Sequence, residues 1–158
     1  MSSDQKGIAL WRRGRRLFTT AAALMLLTAA AHTAGNLAAN LENATEKQVF
    51  AAMDSVRTPL GFGMSPSMKD IYWTLVFMMS INFAALAVIN LLLAASNDIS
   101  DRLLQRIAWA NVLWVGASLI LSWHYQIPPP LISSAVIEVF LIASVVSAKI
   151  SRKRTHPL

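Results

Sequence analysis

The stretch RRLFTTAAALMLLTAAAHTAGNLAA, residues 15–39, admits two readings. Arg15-Arg16 followed by Leu17 and Phe18 resemble a twin-arginine export signal. Ala29-Ala30-Ala31 or His32-Thr33-Ala34 would supply the small residues for cleavage. The same residues also form an apolar run of spanning length with positive charge before it, which is a first transmembrane helix. The rest of the chain selects the second reading. Three more apolar blocks follow, and their charge bias fits an uncleaved first helix. A cleaved chain would keep three spans and lose His32.

The blocks are spans because lipid cannot hydrogen-bond a peptide group, so about 20 consecutive apolar residues satisfy their backbone internally as a helix. They fall at about 17–38, 71–95, 103–125 and 131–150. The chain of 158 residues is 55% hydrophobic and only 14% charged, well below the roughly 25% of an average soluble domain. This length makes one domain, a single four-helix transmembrane unit over 1–158, with the lipid bilayer as its first partner.

The net charge is +6, which in a soluble protein would suggest nucleic acid. No basic, aromatic-interleaved face exists outside the flanks of the spans, so no nucleic-acid partner is expected. The positive charges instead set topology, because Lys and Arg stay on the cytoplasmic side. Only Lys47, Arg57 and Lys69 of the fourteen Lys and Arg residues fall on the outer side when both termini are cytoplasmic. The expected location is a bacterial inner membrane, crossed several times. The chain has no cysteine, which excludes thiol–disulfide exchange, iron–sulfur clusters and thiolate metal sites.

The outer loop, about 40–69, is the one long connection, and such a stretch is structured or functional. Within NATEKQVFAAMDSV, the residues Val49, Phe50, Met53 and Val56 make one apolar face of a short amphipathic helix, and Thr45 with Gln48 resembles a capping box. This helix is expected to lie on the outer membrane surface or cap the bundle. Asn43-Ala44-Thr45 matches a glycosylation acceptor pattern. TPLGFGMSPSMKD then reads as a loop, broken by its prolines and glycines. Ser67 with Asp70 three residues on is a cap signature opening the second span, and Tyr72 and Trp73 mark the outer interface. SNDISDR permits only a tight turn. In QIPPPL three prolines, which lack N–H groups, stop the third helix. Short connections make sequential spans neighbours, so the fold expected is all-α: an up-down-up-down four-helix bundle in the membrane.

Function in such a protein lies in the polar residues within the spans. These are His32, Asn36, Asn82, Asn90, Asn111, His124 and Glu138. His32 lies roughly 9 Å below the outer end of the first span and Glu138 roughly 10 Å below that of the fourth, so the two share a layer. His124 sits over that layer, and Asn82 and Asn111 are placed to bond across the second and third helices. A His–Glu pair in low dielectric shares a proton, relays it, or binds a cation or a ligand amine. The alternative is structural: a neutral His bonded to a carbonyl and a protonated or snorkelling Glu. His32, His124 and Glu138 match a zinc ligand set in type but follow no spacing motif, and the two histidines are offset by roughly 7 Å. Neither a metal nor haem is predicted. Around His32, Ala31 and Gly35, like Ala30 and Ala34, are spaced i, i+4, which lets another helix approach closely.

AHTAGN in the first span, an acidic loop helix, and GMSPSMKDIYWTLVF into the second span occur in an order that resembles a group of small bacterial four-span proteins with no assigned function. The resemblance covers residues 29–80 and implies that His32, Gly35, Ser67 and Asp70 form an outward-facing constellation. The general architecture is similar to that of DoxX-like small membrane proteins, with no motif carrying that likeness.

Three functions follow from these residues. The first is an outward-facing site for a small molecule or proton between helices, drawn from His32, Asn36, Ser67, Asp70, His124 and Glu138. The second is an accessory subunit packing against other membrane subunits or a second copy. The third is a membrane enzyme acting on lipids or quinones.

Overall fold

The computed structural model describes residues 3–39, 44–96 and 98–155. Its regular structure there is helical: α1 Ser3–Ala39, α2 Ala44–Ser55, α3 Met68–Ala95, α4 Asp101–His124 and α5 Pro128–Thr155. Four stretches are long and apolar enough to cross a membrane: Arg12–Ala38, Met68–Ala95, Arg102–His124 and Pro128–Ala148. Asn43, the proposed glycosylation acceptor, lies outside the described residues.

Two boundaries differ from the sequence expectation. The first helix does not start near residue 17, because α1 runs unbroken from Ser3 through the basic stretch into the first span. Arg, Leu, Ala, Gln and Lys are good helix formers, and no proline interrupts them. The three prolines do not merely end α4. Pro128–Pro130 form the first turn of α5, where a missing N–H costs nothing, and Leu131 N resumes pairing with the Ile127 carbonyl at 3.2 Å. α4 has already closed by then. Gln126 takes a left-handed φ of 54°, its N–H reaches the Trp123 carbonyl, and the Ile127 N–H reaches that of Ser122. This is a Schellman stop with glutamine in the place usually held by glycine.

The chain divides into two compact units. The first takes Met1–Leu26 and Leu86–Leu158. Arg15 donates from Nε to the Ala94 carbonyl at 2.6 Å and from its terminal nitrogen to the Ser96 carbonyl, covering the exposed C-terminus of α3. Asn90 meets Asn111 between α3 and α4, Gly116 meets Glu138 between α4 and α5, and Ser144 bonds Gly14 between α5 and α1. The second unit takes Leu27–Ala85. There α2 is held to α3 by rings: Phe50 stacks on Trp73 at 5.8 Å and meets the edge of Tyr72 at 5.6 Å, while Trp73 stacks on Phe77 at 5.5 Å.

Each long helix buries one narrow seam. The buried positions are Gly14, Phe18, Ala21, Ala22, Met25 and Ala29 on α1, then Ser80, Phe83, Ala87, Asn90 and Ala94 on α3. They are Leu104, Ala108, Asn111, Val115 and Ser122 on α4, and Ser134, Ile137, Leu141, Ser144 and Val145 on α5. Spacings of three and four recur along each of them, as on a helix that packs along one face. The seams are rich in Ala, Ser and Asn, while Leu92, Leu113 and Val139 face outward. In water that distribution would be inverted. In lipid it is favoured, because chains compete poorly for apolar surface and close packing drives association.

Candidate functional site

Glu138 stands on α5 among small and apolar neighbours. Its Oε2 is buried and finds no hydrogen-bond partner among the described residues. Its Oε1 lies over Gly116 of α4, 3.5 Å from where a Cβ would stand there. The lack of a side chain at Gly116 leaves room for the carboxyl to lie between the two helices. An isolated carboxylate out of water is costly unless a proton or a cation neutralises it, and among the described residues this is the one buried side-chain polar atom without a partner.

His32 belongs to the other unit, so each residue is described in its own surroundings. The ring of His32 is half-buried, and Nδ1 lies 2.9 Å from Ser80 Oγ on α3. Ser80, like the buried Ser122, Ser134 and Ser144, is absent from the polar inventory of the spans. The useful signal was its place on the seam three residues before Phe83, where a buried hydroxyl needs a partner. Asn36 donates from Nδ2 to the His32 carbonyl at 2.7 Å, one turn back on α1.

The asparagine pair is real but shifted. Asn111 bonds Asn90, not Asn82, which is exposed. Asn90 Nδ2 donates to Asn111 Oδ1 at 2.9 Å, and Asn111 Nδ2 returns the bond to Asn90 Oδ1 at 3.2 Å. His124 is exposed at the end of α4, its ring edge-on to Tyr125 at 4.8 Å.

Ser67 and Asp70 come together as the sequence motif requires. The Asp70 N–H donates to Ser67 Oγ at 3.1 Å. Asp70 Oδ2 accepts from the Ser67 N–H at 3.0 Å and from its hydroxyl at 2.8 Å. This is a closed capping box on α3, with Ser67 fully buried. The hydroxyl and carboxylate are thus engaged in holding the helix end. Ser67→Ala is expected to lower stability by about 1 kcal/mol, and Asp70→Asn by less, since an amide oxygen still accepts. Thermal unfolding in mild detergent measures both, and an unchanged midpoint for Ser67→Ala would assign the pair to something other than capping.

Among the described residues, no three His, Asp or Glu side chains gather closely enough to hold a metal ion. No protein-family model, curated protein or solved structure matches this chain, so a functional reading rests on its own residues.

Proposed function

We propose that this is a multi-pass inner-membrane protein, an up-down-up-down bundle with both termini cytoplasmic, whose fourth span carries a carboxyl site for a proton or a small cationic ligand. One observation carries the reading: the buried, unpartnered Oε2 of Glu138 inside a candidate span. A side chain there changes its state only by gaining or losing a proton or by receiving a cation, and its cost in lipid is the usual mark of function. The topology draws support from Arg15, which binds the carbonyls ending α3 and so brings the basic start of α1 to the α3–α4 turn. Arg102 and Arg106 open α4 close by in sequence, and one cationic side results.

Dicyclohexylcarbodiimide tests the site, because this apolar reagent attacks protonated carboxyl groups from within lipid. Protein in vesicles is expected to gain a single adduct, mapped by mass spectrometry to Glu138. The adduct should fall as pH rises and vanish in Glu138→Gln. Labelling confined to Asp54 or Asp70, or independent of pH, would overturn the reading. Protection of Glu138 by sodium ions or an organic ammonium would identify the cationic ligand.

A further inference from the structure

The loop between α2 and α3 is an ordered finger. Met68 N–H bonds the Val56 carbonyl at 3.0 Å, Thr58 N–H the Pro66 carbonyl at 3.0 Å, and Leu60 N–H the Met64 carbonyl at 3.1 Å. Met64 N–H closes the tip on the Gly61 carbonyl at 2.9 Å. Gly61, Phe62 and Gly63 all have positive φ, at 86°, 52° and 75°. Glycine adopts that conformation freely, but phenylalanine resists it. The result is a phenylalanine held at the apex with 99% of its surface exposed, flanked by Leu60 and Met64 at 57% each. Among the described residues nothing packs on this ring to compensate for its backbone.

We infer that this finger is a membrane-inserting element, its tip of Leu60, Phe62 and Met64 entering the leaflet from which α3 emerges. Four features fit lipid as the occupant. The finger's base is bonded to Met68, the first residue of a candidate span, so the finger starts where that span meets the membrane surface. The cross-strand bonds pair the N–H groups of Thr58, Leu60 and Met64 internally, which lowers the penalty for leaving water along the arms of the finger. Between Thr58 and Ser65 no side chain carries an N–H or O–H group, and the one acceptor is the weak thioether sulfur of Met64. Lipid requires no such group, whereas a specific protein surface is recognised through them. Finally, the charge is confined to the base, where Arg57 and Lys69 stand with Asp54 and Asp70 and Lys69 Nζ lies 4.0 Å from Asp54 Oδ2, a mixed-charge collar suited to headgroups beside the interfacial rings of Tyr72 and Trp73. From base to apex the finger is about 13 Å long, enough to pass the headgroups into the acyl boundary.

The absence of cysteine makes the test direct. Phe62→Cys and, separately, Met64→Cys are labelled with the fluorophore NBD. Each is reconstituted in vesicles of phosphatidylethanolamine and phosphatidylglycerol. A reference label goes on Asp98→Cys in the exposed α3–α4 turn. The tip labels are expected to emit at shorter wavelength than the reference, to be quenched by lipids spin-labelled on the acyl chain, and to resist aqueous iodide. Arg57→Glu should reduce the lipid quenching. Tip labels open to iodide would overturn the inference, and so would labels shielded from both quenchers, which would mean a protein contact instead. Two tip positions guard against one variant failing to fold. The outcome is independent of Glu138, since carbodiimide labelling of the same vesicles reads that site separately.

Discussion

Gly14→Leu is expected to lower the free energy of unfolding in mild detergent by about 3 kcal/mol, and Gly14→Ala to change it little. Gly14 is buried where α1 crosses α5. A Cβ there would stand 3.2 Å from the Ser144 carbonyl oxygen and 3.5 Å from the Ala148 nitrogen. Both are backbone atoms, which cannot swing aside as a side-chain tip does. Alanine needs the helices to part by a few tenths of an ångström, a cost offset by the roughly 1 kcal/mol that alanine gains over glycine inside a helix. Leucine gains nearly the same propensity, but its longer side chain finds no space against these two backbone atoms. Overpacking of this kind costs roughly 1–3 kcal/mol. The Ser144 hydroxyl would also lose its 2.8 Å bond to the Gly14 carbonyl, worth about 1 kcal/mol. Spans joined by small residues depend on such approach for their attraction, so the loss should appear as early separation of α1 in denaturing detergent. Equal stability of the leucine variant would mean that α1 and α5 do not meet at this glycine.

The sequence announced what lipid enforces and what is local. Four apolar blocks had to be helices, because no other backbone satisfies itself in a bilayer. The box of Ser67 and Asp70 was legible because its four residues determine their own geometry. Helix phase was not legible. Asn82 and Asn90 differ by about 80° around the helix axis, and a span that is apolar on every side gives no hint of which one faces inward. The structure turns Asn90 inward with Phe83, Ala87 and Ala94. The same uncertainty hid Ser80 as the neighbour of His32. A search for small and polar residues at spacings of three and four, instead of apolar ones, would have traced the α3 seam. The finger has the sequence of a bare loop, because its glycines and prolines break helix and its pairing of Thr58 with Pro66 follows no alternating pattern.

Asn90→Leu should cost about 2 kcal/mol, while the double variant Asn90→Leu with Asn111→Leu should recover most of that loss. The two amides are almost fully buried and use every N–H they possess. Asn90 Nδ2 serves Asn111 Oδ1 and, at 3.8 Å, the Met25 sulfur, and Asn111 Nδ2 serves Asn90 Oδ1 and the Ile107 carbonyl at 2.9 Å. Removing Asn90 alone leaves Asn111 with an oxygen lacking a donor and an N–H lacking an acceptor, and each orphan costs on the order of 1–3 kcal/mol. The lower end applies here, because helices separated in a membrane find other partners and interhelical bonds there average roughly 0.6 kcal/mol. Removing both leaves no orphan, and leucine branches at Cγ as asparagine does, so its methyls take the places of the amide atoms. A double-mutant cycle in denaturing detergent measures the coupling, expected at about 1–2 kcal/mol. Additive losses would show that the amides do not depend on each other. A recovered double variant would also leave α3 and α4 joined by apolar contacts alone, which a shift of one helical turn satisfies almost as well. The pair therefore contributes less to total stability than to choosing one register, and only that register sets the Ser80 and Asn90 seam of α3 in place.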